Sequence, residues 1–365
     1  MTIRSARKSK KIATKRKKGF SWRRSKAARK VKRKIRLLFF AASSLVLTVF
    51  LLTSFSLYKF AKAPLISANS GAFDKNKEWM GKEDINILFL VVDKVAVSPA
   101  RLKSAYILRL DPQNQGYFLV KLPIFADIEL AQRYGEGDLA HAFFTGSVKL
   151  SQESVFKQTA LYLDSYVLVD EAGILEVGKM FGEVNLRDIR KSVTALKLYT
   201  NPSVVKFLRN FVRTNLSVAE IFRVLGFVRG ADTESVKIFE LDNESFMDKE
   251  LFDGFWKNYI LAGFVNEENF RVLVLNGAEI SGLAGWGGRV VENSGITLLD
   301  VGNTEKKYDK SFLAADDPFS KTVQKLSGMF GIPTVKDRAV VKDEDTMFLR
   351  GDVVVILGLD IGNIL

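Results

Sequence analysis

Between Leu37 and Tyr58 the chain runs 22 residues without a charged side chain (LLFFAASSLVLTVFLLTSFSLY). At about 1.5 Å per residue a helix of that length reaches roughly 33 Å, enough to cross the hydrocarbon of a bilayer. Met1–Arg36, just before it, holds 18 Lys and Arg and no acid, with Lys30, Lys32, Arg33, Lys34 and Arg36 nearest the membrane surface. Basic residues stay on the cytoplasmic side, so the pair reads as a signal-anchor with the N-terminus inside and everything after Tyr58 extracytoplasmic. A cleavable signal peptide, cut after Ala61-Lys62-Ala63, is the competing reading. The apolar run is longer than a signal core of about 7–15 residues, and the basic region is far too long.

The charge divides the same way. The net charge of +14 is the sum of +18 in this arm and −4 in the remaining 329 residues, which hold 37 basic and 41 acidic side chains. A basic arm beside a membrane binds anionic lipid, at about 1 kcal/mol per residue near the surface. Nucleic acid is the sharper alternative. With Phe20 and Trp22 as the arm's only aromatics and no helix-turn-helix pattern, the lipid reading is preferred. The chain has no cysteine and one histidine, His141. That excludes disulfides, Cys-ligated zinc, iron–sulfur clusters, thiol nucleophiles and multi-histidine metal sites.

Residues 59–84 mix Pro, Gly, Ser, Asn and charges without a period and read as a juxtamembrane linker. Ile85–Val92 (INILFLVV) is a continuous apolar run expected of a strand buried on both faces. Strands follow over Ala105–Leu110 and Tyr117–Leu122, joined by the turn DPQNQG, and again at Ser165–Val169 and Val236–Leu241. Helices are expected over Ala140–Thr145, Gln152–Tyr162 and Ala172–Phe181, and throughout Leu186–Arg229. In the last stretch Ser217 and Glu220 have capping-box spacing. Strands and helices in alternation give residues 85–250 a layered α/β domain. Residues 251–269 read as a connection, and 270–362 as a small second α/β domain. It opens with strands at Phe270–Leu275 and Ile296–Val301 and closes with Val353–Leu357. Ser281 is a candidate cap for a helix ending at Asn293, and Asp317-Pro318 for one ending near Gly331. The glycines at 277, 282, 285, 287 and 288 form neither GxGxxG nor a Walker loop. They read as a helix face that packs closely on a sheet.

Several of these segments resemble the LytR-CpsA-Psr (LCP) family of bacterial envelope phosphotransferases, followed by a LytR C-terminal domain. The first resemblance rests on NILFLVVD ending at Asp93, on Arg101 with SAYILRLDPQNQGYFLVKLP, on AHAFFTGS, on LDSYVLVD and on VRTNLSVAEIF. The second rests on VLNGAEISGLAG and VVVILGLD. The resemblance implies transfer of a glycopolymer from a polyprenyl pyrophosphate carrier to the cell wall, with arginines on the diphosphate and carboxylates on a divalent metal such as Mg²⁺.

The departures bear on that chemistry. Asp93 matches the family's first acid and Arg101 its first arginine. Lys103 stands where the family has an aspartate, and Ile124 and Phe125 where it has an arginine and an aspartate. Arg187 and Arg190 match its arginine-bearing helix, with Lys191 in place of a glutamine, although only four residues separate Gly182 from Arg187. A lysine repels the metal that the aspartate would bind, and each lost charge-stabilising group costs about a hundredfold in rate. The expectation is a membrane-anchored envelope protein that binds wall glycopolymer, polyprenyl carrier or a partner without catalysis. No cofactor is expected; Mg²⁺ enters only with the alternative, an active transferase. Arg101, Arg187 and Arg190 either converge on an anionic head group or are ordinary solvated faces. Asp93 is either a remaining metal ligand or a loop cap. His141, followed by two phenylalanines, is expected in the core.

Overall fold

The computed structural model describes residues 64–66, 78–95, 99–174, 210–231, 234–264, 268–338 and 350–361. The basic arm, the apolar run Leu37–Tyr58, Arg187 and Arg190 lie outside them. Among the described residues no helix is long and apolar enough to cross a membrane.

The first domain is a seven-stranded mixed sheet. Its strands are β1 (Pro64–Ile66), β2 (Ile85–Val92), β3 (Leu102–Asp111), β4 (Gly116–Leu122), β7 (Ser165–Asp170), β8 (Val212–Ser217) and β9 (Val236–Glu240), in the order β1-β8-β7-β2-β3-β4-β9. A ribbon of β5 (Ile128–Leu130) and β6 (Gly135–Gly137) lies beside it. The apolar run of β2 is explained by its central place, antiparallel to β3 and parallel to β7. Leu88, Leu90 and Val92 enter the core under helix α1 (Leu139–Thr159), while Ile85 and Ile87 enter a second core with Trp79, Leu216 and Ile221.

Several expectations change. The two short helices before β7 are one helix, α1, broken at Ser147 (φ 57°, ψ −146°). It is capped by Asp138, whose carboxylate accepts the His141 N–H at 2.6 Å, and the His141 side chain is exposed rather than packed in the core. The stretch expected to be helical up to Arg229 contains β8, because VRTNLS alternates inward and outward with the period of a strand. Helix α2 (Val218–Gly230) starts only after it, at the anticipated capping box of Ser217 and Glu220. Within residues 59–84, Pro64–Ile66 pairs with β8, and Trp79 is buried with its N–H donated to Glu220 Oε1 at 2.6 Å.

Residues 251–269 are structured at their start. They begin inside a helical run, α3 (Asn243–Met247), α4 (Lys249–Phe255) and a π-helical turn Trp256–Ile260, which buries Phe246, Phe252, Trp256 and Ile260 in the first domain's core. The start of the connection is thus packed on the first domain.

The second domain is a five-stranded sheet in the order β11-β10-β14-β12-β13. Its strands are β10 (Arg271–Asn276), β11 (Thr297–Asn303), β12 (Phe312–Ala315), β13 (Val335–Asp337) and β14 (Val353–Leu357), and its helices α5 (Leu283–Asn293) and α6 (Lys321–Phe330). Helix α5 begins at Gly282, which takes a left-handed φ of 79°, so Ser281 is not its cap. A Cβ at Gly287 would stand 2.7 Å from Leu357, and one at Gly288 2.7 Å from Val301. The glycine face therefore lets the helix lie against the sheet, as its spacing implied. Ser320 caps α6, and Asp317-Pro318 forms the turn before it.

The two domains share a core. Phe156 and Ala160, at the end of α1, pack among Trp286, Val290 and Val291, with the Phe156 and Trp286 rings 5.1 Å apart. Polar contacts close around this. Arg289 grips Asp253 with bonds of 2.6 and 3.0 Å, Asn293 Nδ2 donates to Asp253 and Thr159, and Trp256 Nε1 donates to the Asn293 carbonyl at 3.0 Å.

Candidate functional site

Two of the residues singled out by the sequence, Asp93 and Arg101, meet where β2 and β7 end and β3 begins, here called the mouth. The strand register brings Asp93 beside Asp170, since Val92 pairs with Asp170. Asp93 Oδ1 accepts the N–H groups of Lys94 (2.7 Å) and Arg101 (2.9 Å), and its own N–H donates to the Arg101 carbonyl at 3.0 Å. The bond from Arg101 above all holds its carboxyl below the usual carboxylate range. The Asp170 carboxylate accepts the N–H groups of Val95 and Ala172. Both carboxylates close loops.

Arg101 is brought to Asp93 through its backbone, while its side chain is exposed. Arg187 and Arg190 are not described, so their convergence with Arg101 is untested. Lys103 is also exposed, close enough for its charge to act on Asp93. Asp93 Oδ1 already accepts two amide N–H groups, and among the described residues no group of three acidic or histidine side chains converges. Ile124 is buried, its carbonyl accepting the Ala140 N–H at the start of α1, whereas Phe125 is 71% exposed and Phe144, on α1, 58%. Exposed aromatic rings therefore stand on the loop after β4 and on α1, and the exposed cations Arg101 and Lys103 stand beside Asp93.

At the opposite end of the same strands lies a polar cluster that the sequence reading missed. Arg109 is 1% exposed. It reaches Asp84 Oδ2 at 3.0 Å and donates to Asn86 Oδ1 at 3.2 Å, with its guanidinium 5.5 Å from the Phe264 ring centroid. Lys325 of α6 meets both Asp84 oxygens at 3.1 Å and the Ser294 carbonyl at 3.1 Å. Asp84 is held below its usual range by these two cations, against the opposing effect of burial. Asp164 Oδ2 accepts the Asn86 N–H at 2.8 Å; burial, with a smaller push from Asp84, raises it to about 6. A charged residue inside the apolar run YILRL was the available signal, because an arginine enters a sheet core only with a partner.

Residues 269–360 match the profile described as LytR cell envelope-related transcriptional attenuator. No curated protein matches the sequence. Among solved structures, Bacillus subtilis TagV is similar at 15% identity and a TM-score of 0.37, over 44% of this chain and 85% of that one. Bacillus subtilis TagT is similar at 17% identity and 0.34, over 48% and 86%. A third, the Bacillus subtilis transcriptional regulator yvhJ, is similar at 18% identity and 0.33, over 44% and 83%. These neighbours are LCP-family proteins, and the C-terminal domain of this chain is a LytR cell envelope-related domain.

Proposed function

We propose that this protein is a membrane-anchored cell-envelope protein whose first domain binds a polyprenyl-linked or wall glycopolymer at its mouth without transferring it. Support comes from the mouth itself. Lys103 replaces an acid and Ile124 and Phe125 replace a charge clamp, while Asp93 and Asp170 are engaged as loop caps. Phosphoryl transfer depends on charge stabilisation at the transition state, and binding does not. Arg101 and Lys103 still offer cations to an anionic head group, and exposed Phe125 and Phe144 offer apolar surface to a chain. A solved TagT is bound to LIIa-WTA, which gives the carrier class to try first. In this reading Leu37–Tyr58 anchors the chain, and Lys30, Lys32, Arg33, Lys34 and Arg36 lie on anionic lipid.

The second reading, an active transferase, is favoured by the solvent-facing side chain of Arg101 together with the presence of Arg187 and Arg190 in the sequence. Binding of a fluorescent polyprenyl pyrophosphate glycan to full-length protein in detergent tests the proposal. Saturable binding that falls about tenfold in Arg101→Ala is expected. Absence of binding refutes the carrier reading.

A further inference from the structure

Strand β9 forms one edge of the first sheet, and among the described residues no strand pairs with its outer side. The Leu241 N–H donates to the Lys121 carbonyl at 3.0 Å, so Phe239 and Lys237, two and four residues earlier, also direct their backbone groups at β4. By the same alternation Val236, Ile238 and Glu240 direct theirs away from the sheet. Edge strands are usually blunted by charge, proline, a bulge or a cover. Here the middle outward residue is Ile238, 59% exposed. We propose that β9 pairs antiparallel with β9 of a second copy of this chain, about a two-fold axis at Ile238, so that two first domains share one continuous sheet.

The edge is complementary to itself in this register. An axis at Lys237 would set that residue against its own copy, a like-charge encounter. An axis at Phe239 would set Val236 against Asp242, where the chain has left the strand to cap α3. With the axis at Ile238 all three outward residues are used. Ile238 exchanges both backbone bonds with its copy, and Val236 exchanges both with Glu240. The opposed side chains are then Ile238 with Ile238, Val236 with the Glu240 stem, and Lys237 with Phe239, and no like charges meet. An aromatic ring suits Lys237, whose Nζ already lies 5.8 Å from the Phe118 centroid. The flank of the edge is apolar as well. Phe255 and Tyr259, on α4 and the π-helical turn, bring their ring centroids within 5.2 and 5.9 Å of Phe239, and Tyr259 is half-exposed. The two-fold axis places this flank of each copy on the same face of the shared sheet. That self-complementarity selects a second copy over an unrelated strand.

The chain has no cysteine, so each introduced thiol is unique. Opposed residues in a hydrogen-bonded antiparallel pair have Cα atoms about 5.5 Å apart, within the disulfide range of about 4.4–6.8 Å. Full-length Ile238→Cys in detergent, oxidised mildly with diamide, therefore forms a covalent dimer. Glu240→Cys alone does not, because its two copies are four residues out of register, about 14 Å along the strand. A mixture of Val236→Cys and Glu240→Cys does. Sedimentation velocity of wild type shows a dimer in the micromolar range, and Ile238→Lys, a charge placed at the exposed centre of the edge, weakens it tenfold or more with the melting temperature retained. The proposal is overturned if wild type stays monomeric throughout that range, if Ile238→Lys dimerises as well as wild type, or if Glu240→Cys crosslinks as readily as Ile238→Cys.

Discussion

At one end of the seven-stranded sheet Asp93 and Asp170 are held by backbone N–H groups of the loops that follow β2 and β7, while Arg101 and Lys103 face solvent. At the other end Asp84 is held by Arg109 from its own sheet and Lys325 from the second domain, under apolar cover. The same strands thus end in two different electrostatic environments. The mouth keeps its charges exposed, where pairing matters little to stability but cations remain open to a ligand. The base buries its charges, where each must have a partner. The first arrangement suits reversible binding. The second suits holding two domains together.

Substitutions break this contrast most visibly at the base. Trp256→Ala removes a fully buried ring and leaves the Asn293 carbonyl without its donor; a loss of about 3–5 kcal/mol is expected in denaturant melts. Arg109→Met leaves Asn86 Oδ1 without its donor and Asp84 with Lys325 alone, and costs about 2–3 kcal/mol by the same measurement. Asp253→Ala removes both Arg289 bonds and one from Asn293, at about 2–3 kcal/mol, and separates the melting of the two domains in calorimetry. At the mouth, Arg101→Ala shifts stability by about 0.5 kcal/mol or less, although it weakens carrier binding.

The base also has a pH signature. Asp164 is raised from 3.8 to about 6, so the folded state binds the proton more tightly than the unfolded chain does. Its stabilising contribution is complete below the unfolded value and disappears as pH rises through about 6. Melting temperatures of wild type and Asp164→Asn, compared between pH 4.5 and 7.5, should therefore diverge as pH rises through 6, with wild type losing ground. The lowered Asp84 works in the opposite direction, so the difference between the two proteins is the quantity to read.

Much of this was legible in the chain. The apolar run of β2, the DPQNQG hairpin, the capping box of α2 and the glycine face of α5 are local patterns, and all formed as their residues imply. Errors came where local and tertiary signals compete. VRTNLS sits between helical patterns and becomes a strand because the β7 edge and β1 pair with it. The helical run around Trp256 was read as a connection because its partners, Asn293 and the α1 core, are distant in sequence. At the mouth, the sequence singled out Asp93 and Arg101, which the loop between β2 and β3 brings together. The base cluster was missed because Asp84, Arg109, Asp164 and Lys325 are spread over some 240 positions and share no spacing. Only the fold assembles them.

The central claim is that the mouth binds its carrier without transfer, and turnover tests it most directly. Full-length protein is incubated with labelled polyprenyl pyrophosphate glycan, Mg²⁺ and a wall acceptor, and released polyprenyl phosphate is quantified. The account predicts no release above the protein-free control while the carrier is bound. Steady release that is abolished by Arg101→Ala would contradict it.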